Sequence, residues 1–140
     1  MLILDSDHFI EFQKGTSPEA VRLKQRLDDT NQPFAVAIIT VEEVMRGWMA
    51  AIRRTRDPFR QINAYAKLRQ LFRSFATWDI VDWTTASAAE FAALKSAKVR
   101  VGTMDLKIAS IALSNNATLL TRNLNDFQNV PGLHVGDWLS

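Results

Sequence analysis

Residues 101–127, VGTMDLKIASIALSNNATLLTRNLNDF, predict a helix that leads directly into a buried strand. The helical part is rich in Ala, Ile and Leu and carries Asp105 in its first turn. The apolar run 117–121 then has the length and residue types of a strand, and Asn123 and Asp126 follow it closely. Because helices that alternate with short apolar strands are typical of α/β folds, this stretch indicates the fold class of the chain.

The rest of the chain repeats the same alternation. Short apolar runs predict strands at 1–4, 34–39, 78–83, 117–121 and 133–138. Amphipathic or Ala-rich runs predict helices at 16–27, 40–54, 59–76, 85–97 and 104–116. Thr16 and Glu19 have the spacing of a capping box at the start of the first of these helices. We therefore expect a three-layer α/β sandwich, in which helices flank a central, mostly parallel sheet.

One predicted helix, 59–76, carries large apolar residues at helical spacing. They are Ile62, Tyr65, Leu68, Leu71, Phe72 and Phe75. An apolar stripe of this kind usually faces the core of a protein, so we expect it to be buried rather than to stack on nucleic-acid bases.

Composition limits the classes of protein and of site. With 140 residues, 47% of them hydrophobic, the chain has the size of a single domain spanning 1–140. It has no cysteine and only two histidines, His8 and His134, so any metal must be held mainly by oxygen. No apolar run approaches the roughly 20 residues that span a bilayer, and MLIL at 1–4 lacks the features of a signal peptide. We expect a cytoplasmic protein with no membrane contact.

The charge is distributed unevenly along the chain. Residues 44–76 contain eight basic residues against Asp57 alone, a net charge of +7, whereas the whole chain carries only +2. The remainder therefore carries −5. Such a basic segment is suited to attracting a polyanion, although Arg and Lys are also ordinary residues on the solvated face of a helix.

Acidic and amide side chains recur where predicted strands end or predicted helices begin. They are Asp5, Asp7, Glu42, Glu43, Asp105, Asn123 and Asp126. In parallel α/β folds these positions meet at the carboxyl edge of the sheet, where ligands bind. Each carboxylate raises the pKa of its neighbours unless a cation neutralises them, and oxygen-only ligands suit Mg²⁺, with Mn²⁺ as the other option.

Two of these acids also have a purely structural interpretation. Thr40 and Glu43 have capping-box spacing, so Glu43 would then only bind the backbone at a helix start. Thr103 is a candidate N-cap, and Asp105, two residues later, would then only complement the helix dipole.

Three further polar residues have local interpretations as well. Asn123 and Asp126 are residue types that commonly close turns. His8 is interpreted as a local hydrogen-bonding residue with no part in chemistry. Arg46, one helical turn after Glu43, would contact either a substrate phosphate or a nearby acid.

Four segments carry a resemblance to a known family. They are LILDSDHF at 2–9, ITVEEVMRG at 39–47, VGTMDLKIASIALSNNATLLTRNLNDF at 101–127 and VPGLHVGDW at 130–138. In this order they resemble PIN-domain proteins and, within that class, the VapC toxins of prokaryotic toxin–antitoxin pairs. The resemblance implies a metal-dependent endoribonuclease that hydrolyses RNA phosphodiester bonds. It also implies a homodimer and a cognate VapB-like antitoxin.

The resemblance also assigns residues to the site. Asp5, Glu43 and Asp105 match the first three acids of the family, both as catalytic residues and as ligands of Mg²⁺ or Mn²⁺. Members of the family often have a fourth acid where this chain has Asn123, so either Asp126, three residues later, substitutes for it or the site is one charge short. Glu43 fits the family pattern, whereas its neighbour in the Glu pair does not.

Two other functions stay open at this point. A non-catalytic PIN fold that only binds RNA or protein is suggested by the missing acid at Asn123. An aspartyl-phosphate phosphotransferase of the haloacid dehalogenase type is suggested by LDSD at 4–7, with Asp5 as the nucleophile. Asp7 stands where many PIN relatives carry Asn, which implies an extra carboxylate at the rim of the site.

Overall fold

The computed structural model describes residues 1–140 and contains one parallel sheet. Its strands are β1 (Leu2–Leu4), β2 (Phe34–Ala37), β3 (Ile80–Val81), β4 (Thr118–Leu120) and β5 (His134–Gly136). They lie in the order β3-β2-β1-β4-β5, and every neighbouring pair is parallel. The prediction of a central parallel sheet is confirmed, although the third strand is only two residues long.

Seven helices connect the strands. They are α1 (Ser6–Lys14), α2 (Pro18–Thr30), α3 (Ile38–Arg54), α4 (Pro58–Phe75), α5 (Thr85–Ser96), α6 (Thr103–Ser114) and α7 (Leu124–Phe127). Five of them match predicted helices, whereas α1 and the single turn of α7 had no counterpart in the sequence prediction. The local signals for α1 are Asp5, which caps its first N–H, and Gly15, which ends it in a left-handed conformation at φ 76°.

Two predicted helix starts are wrong in detail. Ser17, rather than Thr16, caps α2 by accepting a hydrogen bond from the N–H of Ala20. The second strand stops at Ala37, so Ile38 and Ile39 belong to α3 instead of to the strand. Strand and helix follow each other without a loop, and the continuous apolar run therefore hid the boundary.

The chain reverses its direction of travel across the sheet next to β1. It moves outward from β1 through β2 to β3, then crosses to the other side of β1 to form β4 and β5. The carboxyl ends of β1 and β4 thus meet at the switch point, where open α/β sheets bind ligands. The N–H of Asp5 donates to the carbonyl of Leu120 at 2.9 Å and joins the two strand ends.

Helices cover both faces of the sheet, as the three-layer prediction requires. Alternate strand residues such as Ile3 and Leu119 pack with α5, α6 and α7 on one face. Leu4 and Leu120 pack on the other face with apolar residues of α1, α2 and α4. Because side chains alternate between faces along a strand, three or four residues per strand suffice to fill both cores.

The prediction that α4 buries its aromatic stripe is wrong. Ile62, Tyr65 and Phe72 are 64%, 55% and 58% exposed, and Phe75 is the only large member of the stripe that is fully buried. Helix α4 packs mainly on α3 instead of on the sheet, so only a narrow part of its circumference is covered. None of the helices combines the length and apolar character needed to cross a membrane.

Candidate active site

Asp5 lies at the end of β1 and is 6% exposed. Its Oδ1 accepts the N–H of Ser6 at 2.8 Å, and its Oδ2 accepts the hydroxyl of Thr121 at 2.8 Å. Burial raises the pKa of Asp5 to about 6, with a further contribution from the charges of Asp7 and Asp105, against the lowering effect of the hydrogen bonds.

Asp7 has a different environment although it is only two residues away. Its Oδ1 lies 2.6 Å from Nδ1 of His8, and its Oδ2 accepts the N–H of Arg122 at 2.9 Å. Burial opposes its ionisation, but the hydrogen bonds from His8 and Arg122 outweigh burial, so the pKa of Asp7 is lowered. Both oxygens of this extra carboxylate therefore have hydrogen-bond partners.

Glu43 projects from the second turn of α3. The N-cap of this helix is Ala37, without a side-chain hydrogen bond, so the capping-box interpretation of Thr40 and Glu43 is wrong. Oε1 of Glu43 and Oγ1 of Thr40 are both buried without a hydrogen-bond partner. Burial raises the pKa of Glu43 to about 7, and the charges of Asp5, Asp105 and Glu42 add to it.

The neighbouring Glu42 is engaged on the surface. It forms an ion pair with Arg46 at 2.9 Å, one turn along α3. Of the two interpretations of Arg46, the structure therefore supports pairing with an acid. Glu42 is paired with Arg46 outside the site, whereas Oε1 of Glu43 has no hydrogen-bond partner.

Asp105 lies in the first turn of α6, as predicted. The N-cap is Gly102 and makes no side-chain bond, so Thr103 is a helical residue and not the cap. Burial, followed by the charges of Asp126 and Asp7, raises the pKa of Asp105. A carboxylate at a helix N-terminus normally titrates low because of the dipole, so the raised pKa shows how strongly its surroundings disfavour the charge.

Asn123 connects the two acids on either side of it. Its Nδ2 donates to Oδ2 of Asp126 at 3.0 Å and lies 3.5 Å from Oδ2 of Asp105. Asp126 is exposed in the short helix α7 and is not a residue of a tight turn. The amide group of Asn123 thus provides a hydrogen-bond donor between the two carboxylates.

Asp5, Glu43 and Asp105, which we call the inner acids, come together at the carboxyl edge of the sheet. The charges of Asp5 and Asp105 raise the pKa of Glu43, the charge of Asp105 raises the pKa of Asp5, and the pKa values of all three are raised. No three acidic or histidine side chains are close enough to form a complete ion cage. The all-oxygen donor set nevertheless fits a hard divalent cation, and such an ion would also give the unpartnered Oε1 of Glu43 a partner.

Thr121 is a site residue that the sequence prediction missed. Its hydroxyl donates to Asp5 and accepts the N–H of Asn123 at 3.0 Å, so it fixes the start of the loop that carries Asn123 and Asp126. The available signal was its position directly after the apolar part of the fourth strand. A hydroxyl at the carboxyl end of a strand next to the switch point lies within reach of the site.

A comparison with protein-family models identifies the chain. The model of the PIN domain matches residues 2–133. The chain belongs to the PIN-domain family. This membership confirms the resemblance found in the sequence and argues against the phosphotransferase interpretation of LDSD at 4–7.

One curated protein is similar to the chain over a short stretch. Ribonuclease VapC2 of Rickettsia felis is 45% identical over 38 residues, which make up 27% of this chain and 28% of that protein. The alignment thus spans little more than a quarter of that relative.

Solved structures extend the similarity to the whole PIN fold. VapBC2 from Rickettsia felis, bound to a DNA fragment from its promoter, matches with a TM-score of 0.72 and 20% identity, over 98% of both chains. VapBC-1 from nontypeable Haemophilus influenzae matches with a TM-score of 0.75 and 21% identity, over 99% of this chain and 98% of that one. At these identities the matches establish the fold.

Proposed function

We propose that this PIN-domain protein is a divalent-metal-dependent endoribonuclease, the toxin of a type II toxin–antitoxin pair, acting in the cytoplasm. The observation that carries the proposal is the unpartnered, buried Oε1 of Glu43, electrostatically coupled to Asp5 and Asp105. Carboxylates held in this way are costly for a protein that uses them only for structure. The similarity to ribonuclease VapC2 supports RNA as the substrate.

The inner acids would hold the ion, which we expect to be Mg²⁺, with Mn²⁺ as the alternative. When bound, such an ion supplies charge neutralisation and water activation for phosphodiester hydrolysis. Asp5 would be the most rigid ligand, since Ser6 and Thr121 orient it. Asp126 and Asn123 would support the site from outside, next to Asp105.

A chelation and reconstitution assay tests the proposal. The purified protein should cleave RNA in the presence of Mg²⁺, lose activity in excess EDTA and regain it when Mg²⁺ is restored. Cleavage that continues undiminished in EDTA would exclude the metal-dependent mechanism. A preparation of Asp105→Asn, purified in parallel, controls for contaminating ribonucleases.

The basic segment offers contacts for a polyanionic substrate. Of its eight basic residues, Arg46 and Arg60 pair with acids of the same helix or its cap. The other six form no ion pair; they are Arg53, Arg54, Arg56, Lys67, Arg69 and Arg73. Unpaired surface cations near an anionic substrate contribute affinity that falls as salt concentration rises.

A groove next to the site suits a VapB-like antitoxin. It lies between α1, α3 and α4, has a volume of about 770 Å³ and reaches Glu43. Its apolar lining includes Phe9, Trp48 and Leu71, and Lys14, Arg54 and Lys67 provide positive charge. An acidic amphipathic segment would match both properties, and the matched solved structures are of VapBC proteins.

Pull-down from the native host tests the antitoxin. We expect recovery of a short protein with an acidic tail, whereas recovery of RNA alone would revise the partner. Charge reversal at Lys67, which lines the groove, should weaken the complex, and cleavage by the free variant, measured in parallel, shows whether Lys67 also contacts RNA.

A homodimer is the proposed oligomeric state. Exposed apolar side chains on α3 and α4, such as Met49, Ile62 and Phe72, support a further interface. Ile52, also on α3, is buried and does not contribute to this surface. Light scattering should give the mass of a dimer, and a monomer at high micromolar concentration would count against it.

The non-catalytic PIN module remains a second candidate because of one observation. Asn123 places a neutral amide where many relatives have an acid, and it already bonds to Asp126. A protein of this kind would bind RNA equally well with and without Mg²⁺ and would not cleave it. The chelation assay, combined with RNA binding measured by gel shift, separates the two functions.

A further inference from the structure

His8 is a fully buried titratable residue to which the proposed reaction assigns no role. Its Nδ1 lies 2.6 Å from Oδ1 of Asp7, which matches the local bond expected from the sequence. Its Nε2 accepts the backbone N–H of Trp138 at 3.1 Å, a contact 130 residues away in the chain. His8 thus connects the carboxyl edge of the sheet, where Asp7 lies, to the segment that follows β5.

The second contact determines the tautomer of His8. A backbone N–H can only donate, so Nε2 must carry a free lone pair, and the neutral ring keeps its proton on Nδ1. That proton is directed at Asp7. Oδ1 of Asp137 lies 3.7 Å from Nε2, too far for a hydrogen bond, and instead accepts the N–H of Leu139 at 2.9 Å.

The second oxygen of Asp7 extends the chain of contacts to the loop after β4. It accepts the N–H of Arg122, the residue before Asn123. On the other side of Arg122, Thr121 is bound by Asp5 and in turn accepts the N–H of Asn123. The loop is therefore held at consecutive residues by two carboxylates, and one of them, Asp5, is an inner acid.

We propose that His8 and Asp7 form a positioning pair for the metal site. His8 is anchored by Trp138 and orients Asp7, which holds Arg122 and with it the loop that presents Asn123 and Asp126. Both oxygens of Asp7 accept hydrogen bonds, one from His8 and one from Arg122. The effect on metal binding rests on the proposed function, whereas the positioning of the loop does not.

The anchor at the far end is held independently of His8. Leu139 is buried, and its carbonyl accepts Nη2 of Arg22 at 3.0 Å. The guanidinium of Arg26 lies 4.6 Å from the centre of the Trp138 ring. Because α2 provides these contacts, losing the His8 bond should not release the segment.

Two amide variants separate the two bonds of His8. In His8→Asn the amide nitrogen falls near the position of Nδ1, which keeps a donor for Asp7 and removes the acceptor for Trp138. In His8→Gln the amide oxygen falls near the position of Nε2, which keeps the acceptor for Trp138 and removes the donor for Asp7. The two proteins therefore form a matched pair with opposite losses.

Metal affinity distinguishes a positioning role from a purely structural one, because a purely structural role would not change the affinity in one variant only. Calorimetry with Mg²⁺ should show affinity reduced about 10–100-fold in His8→Gln, the range typical when the partner of a ligand-supporting group is lost. The affinity of His8→Asn should stay within about threefold of wild type, by the same reasoning. Equal affinities in both variants, or equal losses that follow a shared drop in Tm, would overturn the proposal.

Measurements on the metal-free protein keep this test independent of the nuclease. Amide hydrogen exchange should accelerate at Arg122 in His8→Gln and at Trp138 in His8→Asn. The ¹⁵N shifts of His8 in the wild-type protein should show a protonated Nδ1 and an unprotonated Nε2, and the opposite tautomer would refute the pair without any variant. If the protein binds no Mg²⁺ but the exchange pattern appears, the proposed function fails and the positioning pair stands.

Discussion

Two groups of acids lie at one edge of the sheet and behave in opposite ways. We call Asp7 and Glu42 the rim acids, and both have partners. Asp7 is bonded to His8 and to the backbone N–H of Arg122, and Glu42 forms an ion pair with Arg46. The inner acids Asp5, Glu43 and Asp105 face one another, and the pKa of each is raised.

The two groups differ in the surroundings of each acid. The residue types are the same, and an inner and a rim acid lie close together in the sequence. Asp5 and Asp7 are two residues apart, yet the pKa of Asp5 rises to about 6 and that of Asp7 falls. Glu42 and Glu43 are adjacent, yet one is paired at the surface and the other has a buried oxygen with no partner. A site for a cation is marked by carboxylates whose pKa stays raised in the fold, and not by their number.

The largest effect is expected from Asp105→Asn. It removes one inner acid, so RNA cleavage should fall by more than the roughly 100-fold that losing a supporting residue can cost. The fold should be as stable as wild type or more stable, since relief of repulsion offsets the roughly 0.3–1 kcal/mol of a lost helix-dipole contact. Cleavage and thermal melting, measured on the same preparation, check both parts. A variant that melts early and retains its specific activity would show that Asp105 only stabilises the helix.

Changes at Asn123 and Asp126 should move activity in opposite directions. Asp126→Asn should weaken metal binding or cleavage by about 10–100-fold, because it removes the charge that supports Asp105. Asn123→Asp should be tolerated or should raise metal affinity, although it also adds a like charge to the metal-free site. Calorimetry with Mg²⁺ and an RNA cleavage assay on both variants provide the comparison. Wild-type affinity and rate in Asp126→Asn would mean that three acids suffice.

The metal-free protein should lose stability as the pH rises from about 4 to about 7. Unfolded Asp5 and Glu43 release their protons near 3.8 and 4.5, but the folded protein keeps them up to a pKa of about 6 and about 7. Between these values the folded state binds more protons, so the free energy of unfolding falls with rising pH, by roughly 2–3 kcal/mol for Asp5. Groups with lowered pKa values, such as Asp7 and Asp137, act in the opposite sense but below this window.

Thermal melting in EDTA over this pH range tests the point. Glu43→Gln should flatten the profile, and saturating Mg²⁺ should flatten it in wild type, because the ion stabilises the ionised form. An unchanged slope in Glu43→Gln would show that Glu43 is not one of the groups responsible.

The smallest effect is expected for the rim acid Glu42. Glu42→Gln removes an exposed pair one helical turn apart, which contributes about 0.3–0.5 kcal/mol. Metal affinity and cleavage should remain at wild-type values, in contrast with the neighbouring Glu43→Gln. Urea unfolding and Mg²⁺ calorimetry measure the two quantities, and a large loss of affinity would place Glu42 among the inner acids.

The sequence predicted the fold well where local patterns are sufficient. Alternation of apolar strands with helices gave the parallel sheet, and the acids at strand ends and helix starts were correctly expected to share one edge. It failed at α1, a short helix directly after a strand, and at the caps, where neighbouring hydroxyl residues such as Thr16 and Ser17 compete. It also failed on α4, because helical periodicity shows which residues share a face and not whether anything covers that face.

The sequence by itself determined the inventory of oxygen ligands, the absence of thiolate sites and the order of the elements that carry the acids. Only the tertiary structure decided which acids have a raised pKa and which have a lowered one. The hydroxyl that binds Asp5 belongs to Thr121, and the N–H that binds Asp7 belongs to Arg122, both more than 100 residues away in the chain. Burial and hydrogen bonds govern the protonation of a carboxylate, and both depend on what the fold brings next to it and not on its neighbours in the sequence.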